Sequence, residues 1–268
     1  MSTKDQEPIY CPVVQEKHYQ LPIENAKILS LDTDIFGNYI ALSANHEIIT
    51  SFSRFKIDKK YNFPIIRWLS DHTFLVANRR AHQPKNVSIF DLEGKEVLSF
   101  LAGDGIEDIV VVDDKIIITY FDEGVFGDEG PNQEGVAIFS LEGKLLYGFN
   151  SSGNDGFVSD CYAVCKYDNT HILFYSYTDF PLIKLNTQTF DCESYKTPSD
   201  FVGSHSMVCK RGDVFFHGSY HDKKSFFKWN IKQNELTRFS SFSGHLRGLE
   251  EGAFVHVGQN EFTIITLE

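Results

Sequence analysis

No run of apolar residues in this chain approaches the length of a membrane span. The first ten residues, MSTKDQEPIY, hold no apolar core of the kind a secretion signal needs. Cysteine is scarce and unpatterned. Cys11, Cys161, Cys165, Cys192 and Cys209 are odd in number, and no CxxC or Cys/His spacing suits a zinc ion. Cys161 and Cys165, four apart in a strand-like segment, fall on one face as buried thiols. These absences predict a cytoplasmic protein without disulfide staples, bound metal or cofactor. Basic charge is also in deficit, with a net charge of −12. Nucleic acid and anionic membranes need a basic footprint, so neither is an expected partner, whereas a basic protein is.

Methionine occurs only twice, and no window reads as a capped amphipathic helix. What is abundant instead is Phe, with 24 residues, and Tyr, with 12, alongside many Val, Ile and Thr. Such side chains suit a pleated, half-buried surface, so the expectation is all-β.

Two segments nearly repeat. NVSIFDLEGKEVLSF (86–100) and GVAIFSLEGKLLYGF (135–149) are each a strand, a Glu-Gly-Lys turn and a second strand, the Gly supplying the positive φ of a tight hairpin. Weaker copies follow at 181–195 and 225–239. Spacings of 44 to 49 residues, with two further apolar runs before each hairpin, are the signature of propeller blades. The pattern predicts one domain over 1–268, a six-bladed β-propeller of four-stranded antiparallel blades. The blades fall at about 26–61, 62–101, 104–150, 158–197, 203–241 and 243–268. The last has only three strands of its own, and an N-terminal strand within 9–22 closes the ring, removing an open edge.

In such a ring the A–B and C–D turns share one face, and the B–C loops and interblade connections share the other. The first set is short (SDH, VDD, KRG, LEGK). The second is long, and its longest member is YFDEGVFGDEGPNQEG (120–135), with five carboxylates and no Lys, Arg or His. Binding residues concentrate on long loops held by a rigid scaffold. The candidate partner-binding set is therefore Asp104, Glu107, Asp108, Tyr120, Phe121, Asp122, Glu123, Phe126, Asp128, Glu129, Asp160, Tyr177, Asp179, Phe180 and Tyr220. Aromatic anchors with a charged surround are what protein interfaces use.

Catalytic motifs are missing. There is no GxSxG, VGSHSM lacks the second Gly, and no Gly-rich loop opens a helix. His82, His205, His217, His221, His245 and His256 are spread over several blades. His205 and His245 precede strand A of successive blades and read as repeat structure. The expectation is a chain that is not an enzyme. The alternatives kept beside it are a small-ligand site, or a carboxylate-dependent hydrolase using Asp108 and Asp122, at the mouth of the central channel.

GDGIEDIVVVDDKIIITYFDEGVFG (103–127) and SDCYAVCKYDNTHILFYSYTDFPLIKL (159–185) resemble segments of a bacterial six-bladed β-propeller family, with YFDEGVFG and YTDFPL as the specific motifs. The chain is also similar to propeller-type immunity proteins encoded beside secreted antibacterial toxins, such as those of contact-dependent growth inhibition. That resemblance implies a basic partner, a nuclease toxin whose active site the acidic rim covers. No residue-by-residue binding map comes with it.

Overall fold

The structure, a computed structural model, describes residues 14–23, 26–81 and 84–267. Cys11, His82 and the first residues of the expected closing strand lie outside them.

Six four-stranded antiparallel sheets follow one another around a ring, forming a β-propeller. The first blade runs Ile28–Thr33, Tyr39–Ser43, Glu47–Thr50 and Arg54–Lys56. The third, which carries the acidic loop, runs Ile106–Val112, Lys115–Tyr120, Val136–Ser140 and Leu145–Gly148. The last blade takes Arg247–Gly248, Ala253–Val257 and Glu261–Leu267 from the C-terminal end of the chain. Its outer strand is Val14–Gln20, paired antiparallel with Glu261–Leu267 from Val14 opposite Leu267 to Gln20 opposite Glu261. The expected closure is thus present.

Burial follows position in the blade. The second and third strands are covered by neighbouring blades on both faces, which explains runs such as Ile116, Ile117 and Ile118, all fully buried. Outer strands keep polar residues, as in Glu96–Phe100. Apolar side chains gather in six clusters, each between two successive blades, so every blade is stabilised by its neighbours rather than by its own interior.

The Glu-Gly-Lys hairpins also serve this stacking. Gly94 and Gly143 adopt φ of +81° and +75°. A Cβ on Gly143 would stand 2.5 Å from the ring of Phe100 in the preceding blade, and one on Gly94 would stand 2.9 Å from the ring of Phe55. The repeated turn is therefore a repeated seat for the aromatic ring of the blade before it.

Candidate functional site

The inner strands of successive blades face one another around a channel. A belt of paired charges crosses its waist. Arg67 donates from Nε to the Ile109 carbonyl at 2.8 Å and from Nη1 to the Ile66 carbonyl at 2.7 Å, while Nη2 pairs with Asp108. Arg247 pairs with Asp32 at 2.7 Å, and Asp32 also accepts the Trp68 backbone N–H at 3.0 Å. Burial pushes the Asp108 carboxyl up, but Arg67, Arg247 and the Ile109 N–H outweigh it and hold it below the usual range. Both arginines line a concavity on each side, so the belt divides the channel into two mouths.

On the long-loop face the mouth is a concavity of about 680 Å³. Three inner strands are irregular at matching places near their starts. The register shifts between Ile28 and Ser30, between Ile106 and Asp108, and between Cys161 and Ala163. The residues left over are Leu29, Glu107 and Tyr162, and all three line this mouth. A bulge re-aims a side chain that regular pleating would send elsewhere.

Glu107 lies 3.8 Å from Arg79, whose Nη1 also donates to the Glu107 carbonyl at 2.6 Å. Burial raises the Glu107 carboxyl to about 7. Arg79 opposes that shift, and Asp108 and Asp160 add to it. Asp160, at the start of the next inner strand, is raised to about 6 by burial and by Asp122. Tyr162 stacks on His205 at 4.2 Å between ring centroids and shares a 2.6 Å hydrogen bond with the Tyr220 hydroxyl. Burial raises the Tyr162 phenol, and the bond to Tyr220 adds to it. His205 is held below the ordinary imidazole value by burial, His245 and Lys223.

The acidic loop is folded against this rim. Asp122–Val125 forms one helical turn and Pro131–Glu134 a 3-10 turn. From the second turn, buried Asn132 reaches back to donate to the carbonyls of Gly124 and Asp128 at 2.7 and 2.9 Å. Gly105 and Gly124 meet backbone to backbone, and a Cβ on Gly105 would stand 2.4 Å from the Gly124 Cα. Arg80 ties Asp104, at 3.1 Å, to Glu123 and lies 5.7 Å from the centre of the Phe121 ring.

The fifteen candidates therefore divide. Asp122, Glu123, Phe126, Asp128, Glu129, Tyr177, Asp179 and Tyr220 are exposed, with Phe126 among the most open large apolar side chains at 69%. Glu107 lines the channel mouth and Asp160 lies half-buried near it. Asp104 and Phe121 are half-buried supports of the loop.

Three placements require correction. Tyr120 is fully buried with its hydroxyl on the Ala102 carbonyl. Phe180 is packed among Tyr162, Tyr175 and Tyr177. Asp108 belongs to the charged waist, which also removes it from any catalytic pair with Asp122. Tyr120 and Phe180 are therefore buried rather than displayed on the rim, and Asp108 is engaged at the waist.

Sequence reasoning passed over Arg79 and Tyr162, read His205 as repeat structure alone, and missed a whole face. The mouth on the short-turn side is a larger concavity, about 800 Å³, with Phe36 and Phe52 on its lip at 73% and 67% exposure. A Phe inside the TDIFGN turn, where Asp34 accepts the backbone N–H of Phe36 and Asn38, was the readable sign.

No protein-family model matches the chain, and no curated protein matches it in sequence. Solved structures do match. Virginiamycin B lyase from Staphylococcus aureus aligns at a TM-score of 0.56 and 10% identity, over 96% of this chain and 100% of that one. A streptogramin B lyase aligns at 0.59 and 9%, over 95% and 98%. The WD40 β-propeller domain of Doa1 aligns at 0.51 and 10%, over 92% and 95%. At such identities the likeness shows the propeller fold alone. It nevertheless overturns the expectation that the chain is not an enzyme. That expectation rested on missing motifs, and lyases share this fold.

Proposed function

We propose that this chain is a protein-recognition module that docks a basic partner on its long-loop face, centred on Phe126 and Phe157. The observation that carries the reading is this ring pair. The two residues come from different loops, their centroids are 6.2 Å apart, and they are 69% and 57% exposed. Asp122, Asp128 and Glu129, in the same loop as Phe126, are exposed. An apolar anchor in a loop where these three carboxylates make no ion pair among the described residues suits a basic surface, because the anchor supplies affinity and the charges steer encounter.

The finer reading follows from the resemblance. The partner is a basic antibacterial toxin of the nuclease kind, and this chain is its immunity protein, its carboxylates taking the places of phosphates in the toxin's groove. Such a protein acts in the cytoplasm. Cys161, Cys165, Cys192 and Cys209 are free thiols, as a reducing compartment would keep them.

The test is capture of the toxin domain encoded upstream of this chain's gene, at low and high salt. Retention at low salt, release at high salt, and affinity lowered roughly tenfold or more by Phe126→Ser or by Asp128→Lys with Glu129→Lys support the reading. Salt-independent binding, or binding indifferent to these changes, overturns it.

A further inference from the structure

We propose that the channel mouth on the long-loop face is a binding site for an uncharged, hydroxyl-bearing ring, the chemistry of a neutral sugar. The site is separate from the Phe126–Phe157 patch. Its construction is the first reason. The bulged residues of three inner strands bring one apolar, one acidic and one aromatic side chain (Leu29, Glu107 and Tyr162) to one cavity of about 680 Å³. That volume lies within the range of small-molecule sites.

The second reason is a platform for a ring. His205 stacks on Tyr162 at 4.2 Å, and Tyr177 lies nearly parallel to the same ring, 6.4 Å away and tilted by 20°. His205 is exposed and has no second ring partner among the described residues, so an aromatic face is open to a ligand. Pro64, Met207 and Leu246 supply apolar wall.

Charge decides between ligand classes. Every guanidinium lining the mouth already faces a carboxylate: Arg67 with Asp108, Arg79 with Glu107, and Arg247 with Asp32. An anionic ligand would have to displace one of these carboxylates and a cationic one would stand beside three guanidinium groups, whereas a neutral one meets neither cost. Directional polar groups remain for it. Arg79 uses Nη1 on main-chain carbonyls, and its Nε and Nη2 donate to no protein group among the described residues. The Glu107 carboxylate, placed in the mouth by its bulge, is an acceptor for a ligand hydroxyl.

Saturation-transfer NMR tests the assignment, with glucose, galactose, N-acetylglucosamine and their disaccharides as probes and glucuronate and glucosamine as charged counterparts. The expected result is transfer to at least one neutral sugar and about tenfold weaker binding of the charged forms. His205→Ala and Glu107→Gln, each checked for an unchanged circular dichroism spectrum, should each weaken binding by a similar factor. Phe126→Ser should leave it unchanged, so the outcome is independent of partner docking. No transfer to any neutral sugar at high millimolar concentration, equal binding of the charged forms, or full binding by both pocket variants would overturn the proposal.

Discussion

Arg67 and Asp108, forty-one residues apart, close an ion pair at the waist of the channel between the inner strands of the second and third blades. Arg67 is only 5% exposed, so loss of its partner leaves a largely desolvated guanidinium. Replacing Asp108 with Ala should therefore cost about 3 kcal/mol or more, since one buried charge is left uncompensated. Asp122→Asn, on an exposed side chain, should change stability by less than about 0.5 kcal/mol. Urea unfolding of both variants measures the contrast, and equal losses would refute the assignment of Asp108 to the waist.

Glu107 makes stability depend on pH in a particular direction. Its carboxyl rises from the ordinary 4.5 to about 7 on folding, facing Arg79, Asp108, Asp160 and Cys161. The folded state then holds a proton that the unfolded state has released. The contribution is fully present below pH 4.5 and is lost as pH rises through 7, amounting to at most about 3 kcal/mol. Asp160, raised to about 6, acts in the same sense. Glu107→Gln should flatten the fall in stability between pH 5 and pH 7.5, which denaturant titrations at the two ends would detect.

Asn132 is the pin of the acidic loop. Its amide holds two carbonyls across that loop while its side chain is buried. Asn132→Ala should cost about 1–3 kcal/mol. Faster hydrogen exchange should then appear over 121–134 while the flanking strands stay protected. Uniform loss of protection would mean that the loop and the blade unfold together.

Gly143→Ala should destabilise by about 2 kcal/mol or more, because positive φ and the Phe100 ring both oppose a Cβ. Gly153 has φ of +79° but nothing within 4 Å of a Cβ, so Gly153→Ala should show the conformational cost alone, about 1 kcal/mol. Thermal melts of the two variants isolate the contact between blades.

The hairpins at 86–100 and 135–149 could be read directly, because a tight turn is a local event and its Gly is visible in four letters. The repeat then carried the reading from hairpin to ring, and the incomplete last blade pointed to the N-terminal strand that pairs with Glu261–Leu267. Exposure on the acidic loop was legible only in part. Phe126 and Tyr120 lie six residues apart in one polar stretch, yet one is open and the other buried beneath the loop. Tyr120 ends the second strand of its blade and packs into the core between two blades, whereas Phe126 lies in the loop beyond it.

By itself the sequence determined the all-β class, the blade repeat, the closing strand and the acidic character of one face. Each of these follows from alternation, turn chemistry or net charge, which are properties of neighbouring residues. The tertiary structure alone decided that Arg67 and Asp108 seal the waist, that Leu29, Glu107 and Tyr162 share a cavity, and that the short-turn face has the larger hollow. Those outcomes depend on strand register and on residues dozens of positions apart. A one-residue bulge reverses where a side chain points without any change in the local pattern of letters.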